Sequence, residues 1–229
     1  MHGVVVESLG SGIALGQITG TLDLDEIAAH FQVSRSLIRE ALRTLAAKGM
    51  VVARQKTGTK VTAQGEWAAL DEHVIRWRAA GPERFAQLHD SLEVRERLEP
   101  LAARRMAESG PGSALEALRR AAGEIETANA TQDTLLMLRA DTAFHRALYL
   151  GSGNDFLAEM AGTVHACLRV PDFQRFHRFS PSTAVRHHAL ARAIADGDAE
   201  AAESMCAEVM AQTRALFTEA HHALRSQGP

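Results

Sequence analysis

The stretch Val33-Ser34-Arg35-Ser36-Leu37-Ile38-Arg39-Glu40-Ala41-Leu42 decides how this chain begins. At 3.6 residues per turn it places Arg35, Arg39 and Arg43 on one stripe of a helix. Leu37, Ile38, Ala41, Leu42 and Leu45 fall on the other. Ser34 stands where an N-cap is needed, and Gly49 where a helix ends on a left-handed residue. Upstream, residues 4–16 carry Val5, Leu9 and Ile13 at helical spacing. Asp23 or Asp25 can cap a short helix from Glu26 to His30, with Leu24, Ile27 and Ala28 inward. A helix, a tight turn and a second, basic helix make the helix-turn-helix signature.

Downstream, Val51–Arg54 and Thr59–Thr62 are β-prone and flank Gln55–Gly58. They predict a hairpin wing with basic residues at its tip. Charge supports a nucleic-acid role for this end. Residues 33–62 hold seven Lys or Arg against Glu40 alone, a local net charge of +6, while the whole chain is at −3. The rival reading is a basic patch without function.

Residues 66–78, with Trp67, Leu70, Val74 and Trp77, predict a linking helix that Gly81-Pro82 breaks. Beyond it every segment reads as helix: 84–109, 113–130, 132–150, 154–170, 181–196 and 198–225. Gly110-Pro111-Gly112, Gly151-Ser152-Gly153, Pro171, Pro181 and Gly197 separate them. The expected fold is mainly α, a winged helix-turn-helix over 1–62, a linking helix over 63–82 and an all-α bundle over 83–229. No apolar run approaches the roughly 20 residues of a membrane span. Val4-Val5-Val6 is too short for a signal peptide. Cys167 and Cys206 lack metal-type spacing and read as reduced thiols, so the expected location is cytoplasmic, with no membrane partner.

The first domain has the residues that read DNA. Ser34, Arg35, Ser36 and Arg39 begin the basic helix, the end that reaches base edges in the major groove. Arg39 and Arg35 suit guanine. Arg43, Lys56 and Lys60, with Thr57 and Gly58 at the wing tip, suit phosphates. Ser34 as a simple cap and Glu40 as a partner for Arg43 are compatible structural roles. Val33-Ser34-Arg35, Ile38-Arg39-Glu40-Ala41-Leu42, Leu45, Lys48-Gly49-Met50-Val51 and Gly58-Thr59-Lys60-Val61 resemble the winged helix-turn-helix of the GntR family of bacterial transcription regulators. The chain departs from that family in its short, proline-free turn, Gly16–Leu22. It also has Asp23-Leu24-Asp25-Glu26 where relatives often carry a DNA-contacting arginine. The departure implies that Arg35 and Arg39 carry more of the DNA contact than usual.

In the second domain Asp141 and His145 are four apart, so a helix would put both on one face, within reach of one metal ion. Alone, such a pair is more often a surface hydrogen bond. The helical stretch is similar to the FCD-type effector domain of the FadR subgroup. That resemblance implies a divalent metal on Asp141, His145 and His187, with zinc foremost and nickel or manganese as alternatives. The subgroup's fourth ligand position falls on Val209, which cannot ligate, and Glu208 beside it points about 100° away. The implied site is an open two-histidine, one-carboxylate set, suited to a chelating ligand, with a site that holds no metal as the alternative.

Arg95, within Glu93-Val94-Arg95-Glu96-Arg97-Leu98-Glu99-Pro100, matches the subgroup's first effector-domain helix. It would offer a fork to an anion; pairing with Glu99 or Glu96 is the alternative. Arg169 and Thr183 are further effector candidates, whereas His165, His177, His188, His221 and His222 are read as non-ligands. The linking stretch is similar to that of sugar-acid-responsive repressors. The expectation is a homodimeric repressor on a palindromic operator, controlled by a small carboxylate. The alternative is a metal-dependent enzyme using the same donors, which normally sit in β-barrels rather than helices.

Overall fold

The computed structural model describes residues 1–54, 58–110, 112–168, 179 and 181–226, without the side chains of 181, 220 and 223–226. Lys56, Thr57 and Arg169 therefore lie outside the described residues. The chain forms two compact units, Met1–Arg84 and Phe85–Pro229. Among the described residues no helix is long and apolar enough to cross a membrane.

In the first unit α1 (His2–Ala14) buries Val5, Leu9 and Ile13 against α3 (Arg35–Ala47), which contributes Ile38, Ala41, Leu42 and Leu45. Between them lies α2 (Leu24–Phe31). It begins two residues before the expected start because Asp23 caps it, its Oδ1 accepting from the backbone N–H of Asp25 (2.7 Å) and Glu26 (3.2 Å). Gln32, left-handed at φ 53°, turns the chain into α3. Ser34 caps α3, accepting from Leu37 N–H at 3.3 Å. After α3, Gly49 sits at φ +73°, and a Cβ there would lie 2.2 Å from the Glu66 carbonyl oxygen. Only glycine fits both demands.

The wing is β2 (Val51–Arg54) paired antiparallel with β3 (Gly58–Val61), from Val51 opposite Val61 to Arg54 opposite Gly58. A two-residue strand β1 (Thr21–Leu22) adds to the other side of β3, so the order is β1-β3-β2. Two residues carry too little alternation to be legible in sequence. The linking segment is also different from the expected continuous helix. A 3-10 turn at Gln64–Glu66 precedes α4 (Glu72–Arg78), and Leu70 is 62% exposed. Asp71 causes the late start. It accepts from His73 N–H (2.9 Å) and Val74 N–H (3.1 Å), and Lys48 Nζ holds its other oxygen at 2.6 Å. Trp67, Val74 and Trp77 bury into the first unit's core. The Trp77 ring packs where a Cβ on Gly10 would be, 2.5 Å away, so α1 and α4 approach closely.

The second unit has α5 (Arg84–Ser109), α6 (Ser113–Thr131), α7 (Thr134–Gly151), α8 (Asp155–Leu168), α9 (Pro181–Ala195) and α10 (Ala199–Ser226). Their bounds follow the sequence punctuation to within a few residues. Helix α7 is central, with Met137, Asp141, Phe144, His145, Leu148 and Tyr149 all buried. That position explains why two ionisable residues of α7 are cut off from water. The fold is mainly α, with a small three-stranded sheet, as the sequence indicated.

Candidate functional site

In the first unit Ser36, Arg39, Arg43 and Lys60 are exposed. Arg39 pairs with no carboxylate among the described residues. Arg43 Nη1 reaches Glu40 at 2.5 Å, three residues back on the same helix. Arg35 forms an ion pair with Asp25 of α2. The acidic run thus has two local uses: Asp23 caps α2, and Asp25 engages the first arginine of the basic stripe.

In the second unit Asp141, His145 and His187 converge. One donor atom from each lies within 4.8 Å of the others, and all three residues are buried. Asp141 and His145 come from successive turns of α7, and His187 from α9. His145 Nε2 stands 3.6 Å and His187 Nε2 3.7 Å from Asp141 Oδ1. These are too long for hydrogen bonds. They match donors that share an ion, since ligands about 2.1 Å from one zinc at the tetrahedral angle are about 3.4 Å apart.

The far side of each imidazole is also engaged. His187 Nδ1 lies 2.8 Å from the Thr183 carbonyl oxygen, one turn earlier. A carbonyl only accepts, so Nδ1 carries the proton and Nε2 keeps its lone pair for the cluster. His145 Nδ1 is 2.6 Å from Glu99 Oε2. This is the carboxylate–histidine arrangement that orients a metal-ligating ring. The Phe144 ring stands edge-on to both imidazoles, at centroid distances of 5.8 Å to His145 and 4.7 Å to His187. The donor set fits a divalent metal ion.

Glu99 was visible in sequence only as a possible partner of Arg95; its second role depends on α5 packing beside α7. Its Oε1 accepts from Arg95 Nε at 2.6 Å, so the residue bridges Arg95 and His145. Arg95 is 2% exposed, and its Nη2 meets the Met210 Sδ at 3.8 Å, a weak acceptor. Glu96 binds Arg214 instead. Burial pushes Glu99 towards the neutral acid, but Arg95 and His145 outweigh it and hold the carboxyl below its ordinary value. Burial likewise opposes charge on His145, yet Glu99 and Asp141 raise it to about 9.

The remaining candidates separate clearly. Thr183 is half-buried and contributes its carbonyl to His187. Val209 is buried, whereas Glu208 faces solvent. His188 is exposed and pairs with Glu126 at 3.0 Å.

These two sites define a DNA-reading module joined to a helical module with a buried donor cluster. The comparisons with known proteins agree. Residues 5–61 match the model of bacterial regulatory proteins of the gntR family, and residues 90–212 match the FCD domain. The chain belongs to the GntR family, with an FCD domain as its second module. It is 30% identical over 213 residues to the uncharacterized HTH-type transcriptional regulator YieP of Escherichia coli, covering 89% of both chains. The galactonate operon transcriptional repressor of Escherichia coli is 28% identical, over 94% of this chain and 96% of its own. The HTH-type transcriptional regulator LutR of Bacillus subtilis is 32% identical, over 78% of this chain and 82% of its own. A solved structure of Lar, which controls the Listeria monocytogenes agr system, shares the fold. Its TM-score is 0.64 at 20% identity, with 97% of each chain covered. The chain is a transcriptional regulator and not an enzyme, which removes the alternative of a metal-dependent enzyme.

Proposed function

We propose that the protein is a homodimeric repressor whose hold on a palindromic operator is set by a small carboxylate, a sugar acid. This effector binds with a divalent metal, zinc foremost, in the helical unit. The buried Asp141–His145–His187 cluster carries the reading. The three residues would hold the metal, and the metal would supply a Lewis-acidic centre for carboxylate and hydroxyl oxygens. Charge favours an anion there. A divalent ion with Arg95 against Asp141 and Glu99 leaves one positive charge in a buried site, and buried charge needs a counter-ion. Arg95 is the second anchor, with Arg169 and Thr183 as lining residues. The galactonate repressor's name supports a sugar acid as the effector class.

On the DNA side, Arg35, Ser36 and Arg39 read bases. Ser34, Arg43, Lys56, Thr57, Gly58 and Lys60 hold the backbone. The homodimer has a self-complementary surface on α5. Val94 and Leu101 are 45% and 40% exposed and a heptad apart, with Leu98 half-buried between them. Asp90 and Arg105 flank them symmetrically about the point between Arg97 and Leu98. An antiparallel second copy therefore sets Val94 on Leu101 and Asp90 on Arg105.

The test is fluorescence anisotropy on a duplex selected from random DNA by the full-length, zinc-loaded protein. D-galactonate should release the duplex, and a chelator should abolish the response. Zinc content unchanged in His145→Ala, or no response to any of a panel of sugar acids, would overturn the reading.

A further inference from the structure

Tyr149 continues the face of α7 that bears Asp141 and His145, at i+8 and i+4. Its side chain is completely buried. Its hydroxyl oxygen is buried as well, and no described residue hydrogen bonds to it. A hydroxyl in that state destabilises the fold, and phenylalanine would fill the same space without the loss. The charges of Glu99 and Arg95 act on the hydroxyl electrostatically, as do the thiols of Cys206 and Cys167. Thiols are weak partners. Glu99 and Arg95 belong to the chain of contacts that ends on the metal-binding histidine. Arg95 is itself under-used, with one strong acceptor among the described residues for five N–H donors.

A phenol one turn along α7 from His145, and a guanidinium tied to His145 through Glu99, thus both have spare hydrogen-bonding capacity. A metal and a guanidinium account for a carboxylate. Chelation reads at most a hydroxyl beside the carboxylate, and neither group reads the hydroxyls further along the acid. A phenol does, because it both donates to and accepts from an alcohol. Burial and Glu99 push the Tyr149 ionisation far up, so the group stays protonated and able to donate.

We infer that the Tyr149 hydroxyl is the subsite that reads a hydroxyl group of the effector, and so sets selectivity for hydroxy acids over plain carboxylates. The inference rests on the effector site proposed above. It goes beyond it by naming a residue and the functional group that residue recognises.

The test is Tyr149→Phe in the full-length, zinc-loaded protein, with calorimetric titration of D-galactonate and of hexanoate. Zinc content should equal that of the unsubstituted protein, and the ligand-free melting temperature should be unchanged or higher. Affinity for galactonate should fall about tenfold, the worth of one well-made hydrogen bond in a buried site, with hexanoate unaffected. A Tyr149→Phe protein that keeps the full galactonate-over-hexanoate preference overturns the Tyr149 assignment and leaves the effector site standing. Loss of zinc, or a lower ligand-free melting temperature, shows a structural role and also overturns it. If the unsubstituted protein binds neither acid, the effector reading and this inference fall together.

Discussion

Asp25→Asn should tighten DNA binding, an unusual direction for a substitution next to a recognition helix. The reasoning starts from the ion pair between Asp25 and Arg35, whose side chains are 59% and 67% exposed. An exposed pair of this kind is worth about 0–1 kcal/mol, and Arg35 gives up that amount before it can contact DNA. The carboxylate also repels the phosphate backbone. At about 7 Å in water-like dielectric that repulsion is about 0.6 kcal/mol. Together the gain is about 0.6–1.6 kcal/mol, roughly a three- to fifteenfold lower Kd. Asp23, not Asp25, caps α2, so the helix should survive and the melting temperature stay constant. Anisotropy titrations at about 50 and 300 mM salt should show the gain at low salt and its loss at high salt. The salt slope should steepen by about one phosphate contact. In an Arg35→Ala background the gain should shrink to the phosphate repulsion alone, about 0.6 kcal/mol, since the pair is then already broken. Unchanged or weaker binding at low salt would refute the account, and with it the role of Arg35 at the DNA.

Glu99→Gln keeps the volume but removes the charge between Arg95 and His145. Zinc affinity by competition with a chromophoric chelator should fall about 10- to 100-fold, and chemical denaturation should show a loss of about 3–5 kcal/mol. In metal-free protein His145, raised to about 9, stabilises the fold fully below the unfolded value of 6.5. That contribution is lost as pH rises through about 9, so chelated protein should denature more easily at pH 10 than at pH 6. Metal must expel the same proton, so zinc affinity measured by competition should drop about tenfold per pH unit below about 9. Leu101→Asp should give a monomer in sedimentation equilibrium. Asp90→Arg and Arg105→Asp should each weaken the dimer and together restore it. Gly49→Ala forces a left-handed alanine, about 1–2 kcal/mol, into contact with the Glu66 carbonyl, and should lower the first unit's melting temperature by about 5 °C or more.

Much of the fold is legible because helices are encoded locally. Ser34 as a cap, the apolar stripe Ile38, Ala41, Leu42 and Leu45, and the glycine breaks are short-range signals, and the helix bounds follow them. Two departures from expectation come from partners distant in sequence, whereas the early start of α2 comes from its own cap, Asp23. Lys48 holds Asp71, 23 residues away, and delays α4. β3 recruits Thr21 and Leu22 as an edge strand that has no periodicity of its own.

The sequence by itself determined the basic stripe of α3, the wing, the helical second unit and the i, i+4 relation of Asp141 and His145. All follow from spacing within one element. Only the tertiary structure decided that Asp25 holds Arg35, that Glu99 ties Arg95 to His145, and that the Tyr149 hydroxyl is buried without a hydrogen-bond partner among the described residues. These depend on which faces of separate helices meet. That is fixed by packing across tens of residues, where side-chain periodicity carries no information about distance.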